Sequence, residues 1–376
     1  MPARVAIRSM LRSAYEAPSA SRASVAASTA ASIAARLAVG AGSSFDSTDA
    51  ITGQSTRRQA LEPTLTQCQV SGRIRTMASL LDLTTQGDVA TISDESKLAN
   101  IQLMTPRQLY ELWERQSWIS HEIDFTQDRR DWEAMSDTER EEASWGLANF
   151  FVGEERVTTQ FSGLVMAYED QHEEAFLTTQ QVDEARHAQH FNRLYENVLQ
   201  YDGSFEDRLG RCRAQLNEHY ITLFDEHLVN ANQALVDNPR DIEAKIDFVV
   251  IYHMVIEGTL ALTGQYFQTG WMERQGILPG HHFGFRKISQ DEHRHVAYGT
   301  WFLQQKAGDP SHAQRIQDRL LATLPAAAGV LVPPGYELGD EYEYMGYSSQ
   351  EMNEFAFTAL SRRLKVIGVG LPAVTA

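Results

Sequence analysis

Four glutamates, Glu154, Glu184, Glu257 and Glu292, fall within the apolar stripes of four separate helical stretches. A carboxylate taken out of water without a partner is costly, so each needs a cation, a hydrogen-bond partner or a raised pKa. Two of them begin Glu-x-x-His pairs, Glu184/His187 and Glu292/His295. That spacing puts both side chains on one helix face about a turn apart, where they can grip one ion. Two helices with Glu-x-x-His and two with a lone Glu make the ligand pattern of a dinuclear carboxylate bundle. One such pair alone would mean little, and a third, Glu169/His172, sits at a predicted helix end outside any stripe and reads as surface. The same residues could instead serve buried salt bridges. Charge favours the metal reading: four carboxylates neutralise two divalent ions, whereas two trivalent ions would call for hydroxide and an added anion. Oxygen and imidazole ligands suit Fe and Mn and discriminate little between them.

The elements that must carry these residues are helical from Thr105 onward. Thr105-Pro106 is a cap followed by Pro at the first helical position and opens Pro106–Arg115. Ser136 with Glu139 forms a capping box opening a helix to about Tyr168, with Leu147, Phe151, Glu154, Val157, Phe161 and Leu164 as its stripe. Further helices are predicted at about Glu173–Leu199, Phe205–Val236, Asp241–Arg274 and His282–Lys306, with Pro279-Gly280 breaking the chain after Asp241–Arg274. No element is assigned between Pro310 and Pro333, and one more helix is predicted near Gln350–Leu364. Strand-type alternation is absent. The fold class is therefore all-α: a helix bundle with a dinuclear site in its core.

Composition bounds the rest. The 376 residues carry 33 Lys+Arg against 50 Asp+Glu, a net charge of −17, which disfavours nucleic acid and an anionic membrane as partners. Five arginines and one glutamate give residues 1–40 a charge of +4, so the remainder holds −21. With 13 Ala and 7 Ser, those forty residues have the make-up of a transit peptide, or else of a low-complexity tail or upstream sequence before a start at Met77. Two cysteines, Cys68 and Cys212, make neither a disulfide framework nor a thiolate metal site and point to a reducing compartment. The expected location is thus cytoplasmic, or mitochondrial if the leader is an address. The most apolar stretch, Ile246–Phe267, is interrupted by His253 and Glu257, so no membrane span is expected. The expected organisation is a disordered extension over 1–95, a di-metal carboxylate domain over 96–325, and a C-terminal segment with one helix over 326–376.

Several motifs together resemble the ribonucleotide-reductase-like ligand-binding oxidases. They are Leu109-Tyr-Glu-Leu-Trp-Glu-Arg-Gln-Ser-Trp118, Ile123-Asp-Phe-Thr-Gln-Asp-Arg-Arg-Asp-Trp132, Gly153-Glu-Glu-Arg-Val-Thr158, Glu184-Ala-Arg-His187, Tyr252-His-Met-Val-Ile-Glu-Gly-Thr-Leu-Ala-Leu-Thr-Gly264 and Asp291-Glu-His-Arg-His-Val-Ala-Tyr-Gly299. The resemblance covers roughly residues 105–308. It implies a ferritin-like fold, a mixed Mn/Fe centre with di-iron as the alternative, a long-chain fatty acid bridging the metals, a homodimer, and two-electron oxidation driven by O2. It also implies that Glu154, Glu184 and His187 hold manganese, that Glu257, Glu292 and His295 hold iron, and that Tyr252 and Val157 become joined by an ether. Asp291 resembles an acid that orients a metal-bound histidine. A dry pocket lined by Phe151, Phe161 and Phe191 is expected around the reaction. At about 100° per residue, however, Tyr252 lies roughly 140° around its helix from Glu257, so a local bulge or a long side chain must bring it in. The alternatives are the small subunit of ribonucleotide reductase, disfavoured as a radical generator by Phe191 four residues after His187, and a non-catalytic fatty-acid-binding bundle.

Overall fold

In the computed structural model, residues 103–370 are described, so the readings of the 1–95 extension lie outside the described residues. The chain opens with α1 (Pro106–Gln116) and α2 (Thr126–Ala134), followed by α3 (Asp137–Gln160), the short α4 (Ser162–Met166) and α5 (Gln171–Asn197). The cap of α1 is the one the sequence indicates: Thr105 accepts from the Gln108 amide while the Gln108 side chain returns to the Thr105 amide. Ser136 and Glu139 do the same for α3. Then come α6 (Phe205–Arg213), α7 over residues 218–237, α8 (Ile242–Gln275), α9 (Pro279–Lys306), α10 (Pro310–Val330) and α11 (Ser349–Ile367).

Helices α3 and α5 pack as one pair and α8 and α9 as another; α5 meets α9, and α1 lies across both. Only residues 276–278 separate α8 from α9, with Gly276 at φ 66° capping α8 and Pro279 opening α9. Such a short link makes antiparallel neighbours, while α6 and α7 form the one long crossover between the pairs. The four glutamates thus come from four different helices of one ferritin-like bundle, two from each hairpin.

Helix α8 is the centre of the molecule. Every residue from Val250 to Leu260 is buried, because α9, α10 and α11 surround this segment. By length and composition alone it could cross a membrane, yet 94% of its most apolar window is buried within the bundle. A helix apolar on all sides is what a core position requires. Close approach to α9 depends on Gly299, where a Cβ would lie 2.3 Å from the Cβ of His253.

Three features depart from the sequence reading. The helix expected to reach Tyr168 breaks at Phe161, and α4 continues from there. Helix α10 occupies a stretch assigned no element and runs through the boundary expected after residue 325; its interior Pro325 obscures the helical pattern. A two-stranded hairpin, Glu343–Tyr344 with Tyr347–Ser348, interrupts the otherwise helical fold.

Gly299→Ala tests the packing argument. Overpacking costs about 1–3 kcal/mol, which at about 2–4 °C per kcal/mol for a domain of this size should lower the unfolding temperature by several degrees in calorimetry. An unchanged temperature would mean the α8–α9 contact relaxes freely.

Candidate metal centre

Glu154 comes from α3, Glu184 and His187 from α5, Glu257 from α8, and Glu292 and His295 from α9. All six are buried: no carboxylate is more than 5% exposed, and both imidazoles are at 0%. Their ligand atoms gather into two trios, Glu154/His187/Glu292 and Glu184/Glu257/His295, each with its ligand atoms within 4.8 Å of one another. This grouping differs from the one the resemblance implies, since Glu184 and Glu292 change places. The position of Glu184 explains why. One carboxylate oxygen is 3.0 Å from His295 Nδ1, and the other is 3.6 Å from His187 Nδ1, so it stands between the two halves.

The site fits cations by its own chemistry. Buried polar atoms nearly always have a partner, yet Glu257 Oε2 and Glu292 Oε2 have no hydrogen-bond partner among the described residues, and His187 Nδ1 has only carboxylates beside it, Glu154 at 3.3 Å and Glu184 at 3.6 Å. The electrostatics agree. Burial pushes Glu154 up to about 7 and Glu257 up to about 8, with neighbouring carboxylates adding to both. Burial first, then the charges of Glu154 and Glu257, drives Glu292 well above the ordinary range. For Glu184 burial acts upward too, but His295 and His187 outweigh it and hold it low. Both histidines are raised well above their usual value: against the desolvation that opposes it, Glu154 lifts His187 and Glu257 lifts His295. Protons here hold together a cluster that two divalent ions would neutralise.

Each histidine is held by an aspartate on the opposite Glu-x-x-His helix. His187 Nε2 donates to Asp291 at 3.1 Å, and His295 Nε2 donates to Asp183 at 3.3 Å. Both Nδ1 atoms are thereby left facing the carboxylates. Asp291 also accepts from Trp118 Nε1 at 2.7 Å, and Asp183 accepts from Trp113 Nε1 at 2.9 Å. Arg294 donates to Asp183 at 2.9 Å and to Asp291 at 2.5 Å, and Arg186 likewise reaches both. Burial would raise Asp291, but its hydrogen bond from His187 and the charge of Arg294 hold it at about 2. Asp291 thus lies directly behind His187, in contact with its Nε2. Asp183 escaped the sequence reading, although a signal was present: both motifs read Asp-Glu-x-x-His, at 183–187 and 291–295.

Tyr252 reaches the cluster because residues Val250–Ala261 are π-helical. Hydrogen bonds from i to i+5 bring residues five apart, such as Tyr252 and Glu257, to one side. Tyr252 donates its hydroxyl to Glu184 Oε1 at 2.6 Å. An apolar cavity opens onto Glu154, Glu184, Glu257 and Glu292, with Val157 in its wall. The phenylalanines that line it are Phe150, Phe224 and Phe267, alongside Trp145, Tyr220 and Tyr344, in place of the three phenylalanines expected. Phe151 instead stacks on Tyr195, Phe161 packs against Tyr252, and Phe191 lies among Phe150, Phe285 and His281.

Fold and site together define a carboxylate-bundle oxidoreductase with two adjoining three-ligand pockets. The family model for the ribonucleotide reductase small chain matches residues 96–368, and the chain belongs to that family. Among solved structures, it is similar to an R2-like ligand-binding oxidase variant with anaerobically reconstituted Mn/Fe cofactor, at 26% identity and TM-score 0.61 over 70% of this chain and 93% of that one. Another variant of an R2-like ligand-binding oxidase, with a non-activated Mn/Mn cofactor, matches at 25% identity and TM-score 0.60 over the same shares.

Linkage gives the pH dependence its sign. Glu154 and Glu257 are raised from 4.5 to about 7 and about 8, so the stability they contribute is present below the unfolded value and lost as pH rises through the folded ones. The raised histidines act in the same direction. The metal-free protein should therefore lose unfolding temperature between about pH 5 and about pH 8, and two divalent ions should flatten that fall. A metal-free unfolding temperature that is level across this range would refute the charge balance drawn here.

Asp183→Asn tests the orienting role. It should weaken the ion beside His295 by about 10–100-fold, more than the ion beside His187, in a chelator-competition titration. Equal loss at both would contradict a local effect.

Proposed function

We propose that this protein is an O2-dependent Mn/Fe oxidase that takes a long-chain fatty acid and carries out a two-electron oxidation. Glu154, Glu184, His187, Glu257, Glu292 and His295 are its metal ligands. The observation that carries this reading is the apolar cavity ending on four carboxylates. Neither Lys nor Arg is among the residues lining it, so an acid head group has no cation to meet in the wall. Bound metals would supply that cation and the capacity to activate O2.

The chain's own residues do the rest. Phe150, Phe224, Ile256, Leu260 and Phe267 keep the cavity dry and receive the alkyl chain. Asp183 and Asp291 hold each imidazole with Nδ1 inward. Tyr252 and Val157 are the cross-linking pair, and both belong to the surroundings of Glu184: Tyr252 by its hydrogen bond, Val157 through the shared cavity. Burial, and then the charge of Glu184, holds the Tyr252 phenol well above its ordinary range, so its proton leaves only as the bond forms. The ether takes one hydrogen from the Tyr252 oxygen and one from a side-chain carbon of Val157. The two protons and two electrons released pass to O2. A homodimer is part of the same proposal.

The test is peptide mass spectrometry of protein loaded with Mn and Fe and exposed to air. The expected product is a Tyr252–Val157 linked peptide two hydrogens lighter than its parts, absent from Tyr252→Phe. An unlinked, metal-loaded protein that supports nucleotide reduction beside a large subunit would replace this reading with the reductase small subunit. A fatty acid extracted from protein that consumes no O2 would replace it with a carrier.

A further inference from the structure

Behind Tyr252, away from Glu184, the buried aromatic rings continue. The Tyr252 and His253 ring centroids are 4.7 Å apart, those of His253 and Tyr298 5.3 Å, and those of Tyr298 and Trp301 6.1 Å. Tyr298 is fully buried, whereas Trp301 is only partly so. Four consecutive rings therefore lead from the carboxylate cluster towards the outside of α9. They are separate from the Trp118–Asp291–His187 hydrogen-bond chain.

Tyr298 also has what an oxidisable phenol needs and most core tyrosines lack, a carboxylate in contact with its hydroxyl. It donates to Glu173 Oε1 at 2.7 Å. The same oxygen accepts from Lys245 Nζ at 2.9 Å, and Lys245 is 2% exposed. Lys245 in turn reaches the exposed Glu169 at 3.4 Å, and Glu169 meets Lys306 at 2.9 Å. This is a line of charged groups from a buried phenol to solvent. Burial, with Glu173 beside it, holds the Tyr298 phenol well above its ordinary range, so the neutral ring keeps its proton. Removing an electron from a phenol makes it strongly acidic, and Glu173 is then the acceptor in place. A buried Lys–Glu pair can be purely structural, but that role needs neither the hydroxyl nor the ring series.

We propose that Tyr298 is a redox-active residue that carries oxidising equivalents away from the metal centre when no substrate consumes them. One electron passes from Tyr298 through His253 and Tyr252 to the centre, and the phenolic proton moves to Glu173. The neutral Tyr298 radical then takes one electron, by way of Trp301, from a one-electron reductant in solution such as a thiol or ascorbate, and the proton returns from Glu173. The oxidant is the O2-derived equivalent of the proposed oxidase, so the physiological role rests on that reading. The redox property of Tyr298 does not.

The experiment uses the full-length, metal-free protein, so failure of the oxidase reading leaves it untouched. Flash photolysis with a ruthenium tris-bipyridine sensitiser and persulfate, followed by freeze-quench electron paramagnetic resonance, should give a tyrosyl signal. The part due to Tyr298 is the difference between the native protein and Tyr298→Phe, which cancels exposed tyrosines. Tyr298→Phe keeps the ring that packs on Phe176 and Phe302, and its unfolding temperature is measured alongside. Trp301→Phe should lower the difference signal several-fold. Glu173→Gln, which keeps an accepting oxygen but removes the charge, should also lower it several-fold while the exposed-tyrosine background stays constant. Superimposable spectra from native protein and Tyr298→Phe would overturn the proposal, as would a difference signal indifferent to both Trp301 and Glu173.

Discussion

Everything in this bundle answers to one constraint: four carboxylates and two imidazoles share a volume from which water is excluded. Carboxylates so close cannot all be ionised without cations, and burial, with Glu184 adding to it, pushes Glu154 and Glu257 into the neutral range. The surrounding structure supplies order around this cluster rather than relief from it. Aspartates behind the histidines, tryptophans behind the aspartates and two arginines between them satisfy the outward-facing atoms. Of the inward-facing ones, Glu257 Oε2 and Glu292 Oε2 are left without a hydrogen bond, and His187 Nδ1 meets only carboxylates. A site arranged this way is finished by cations and by little else.

The cluster of carboxylates and histidines was legible because it contradicts the helical stripe on which it sits. A glutamate at a core position of an amphipathic helix is visible from period alone, and four of them on four helices leave few other uses. The fold followed from the same periodicity, helped by caps such as Thr105/Gln108 and Ser136/Glu139 whose reciprocal hydrogen bonds form as the sequence indicates. Less was legible where local rules give way to tertiary ones. Helix α10 carries Pro325 in its interior, and Pro279 reads as a helix breaker until it is seen as the first residue of α9. The cavity walls were misassigned because a stripe tells which phenylalanines are buried, and not against what they pack.

The π-helical stretch is the clearest case of geometry that sequence periodicity hides. With 3.6 residues per turn, Tyr252 faces away from Glu257; with i to i+5 bonding, the two come together. The distortion is tolerated because neighbouring helices enclose Val250–Leu260. One such neighbour is α11, whose buried Arg363 donates to the Gly258 carbonyl at 2.5 Å. The C-terminal helix thus belongs to the support of the centre, although no ligand comes from it.

The crossed aspartates have a thermodynamic consequence. Because Arg186 and Arg294 each touch both Asp183 and Asp291, the two imidazoles share one anchoring lattice. An ion held by one trio would draw on a histidine whose aspartate is bonded to both arginines, and those arginines also hold the aspartate behind the other histidine. Glu184, standing between the trios, would transmit the same event by charge. Any effect of an ion in one pocket on the affinity of the other would be reciprocal, and this shared lattice is where such an effect would be carried. In a site whose donor sets are nearly identical, the order of filling would then be a property of the coupling as much as of the ligands.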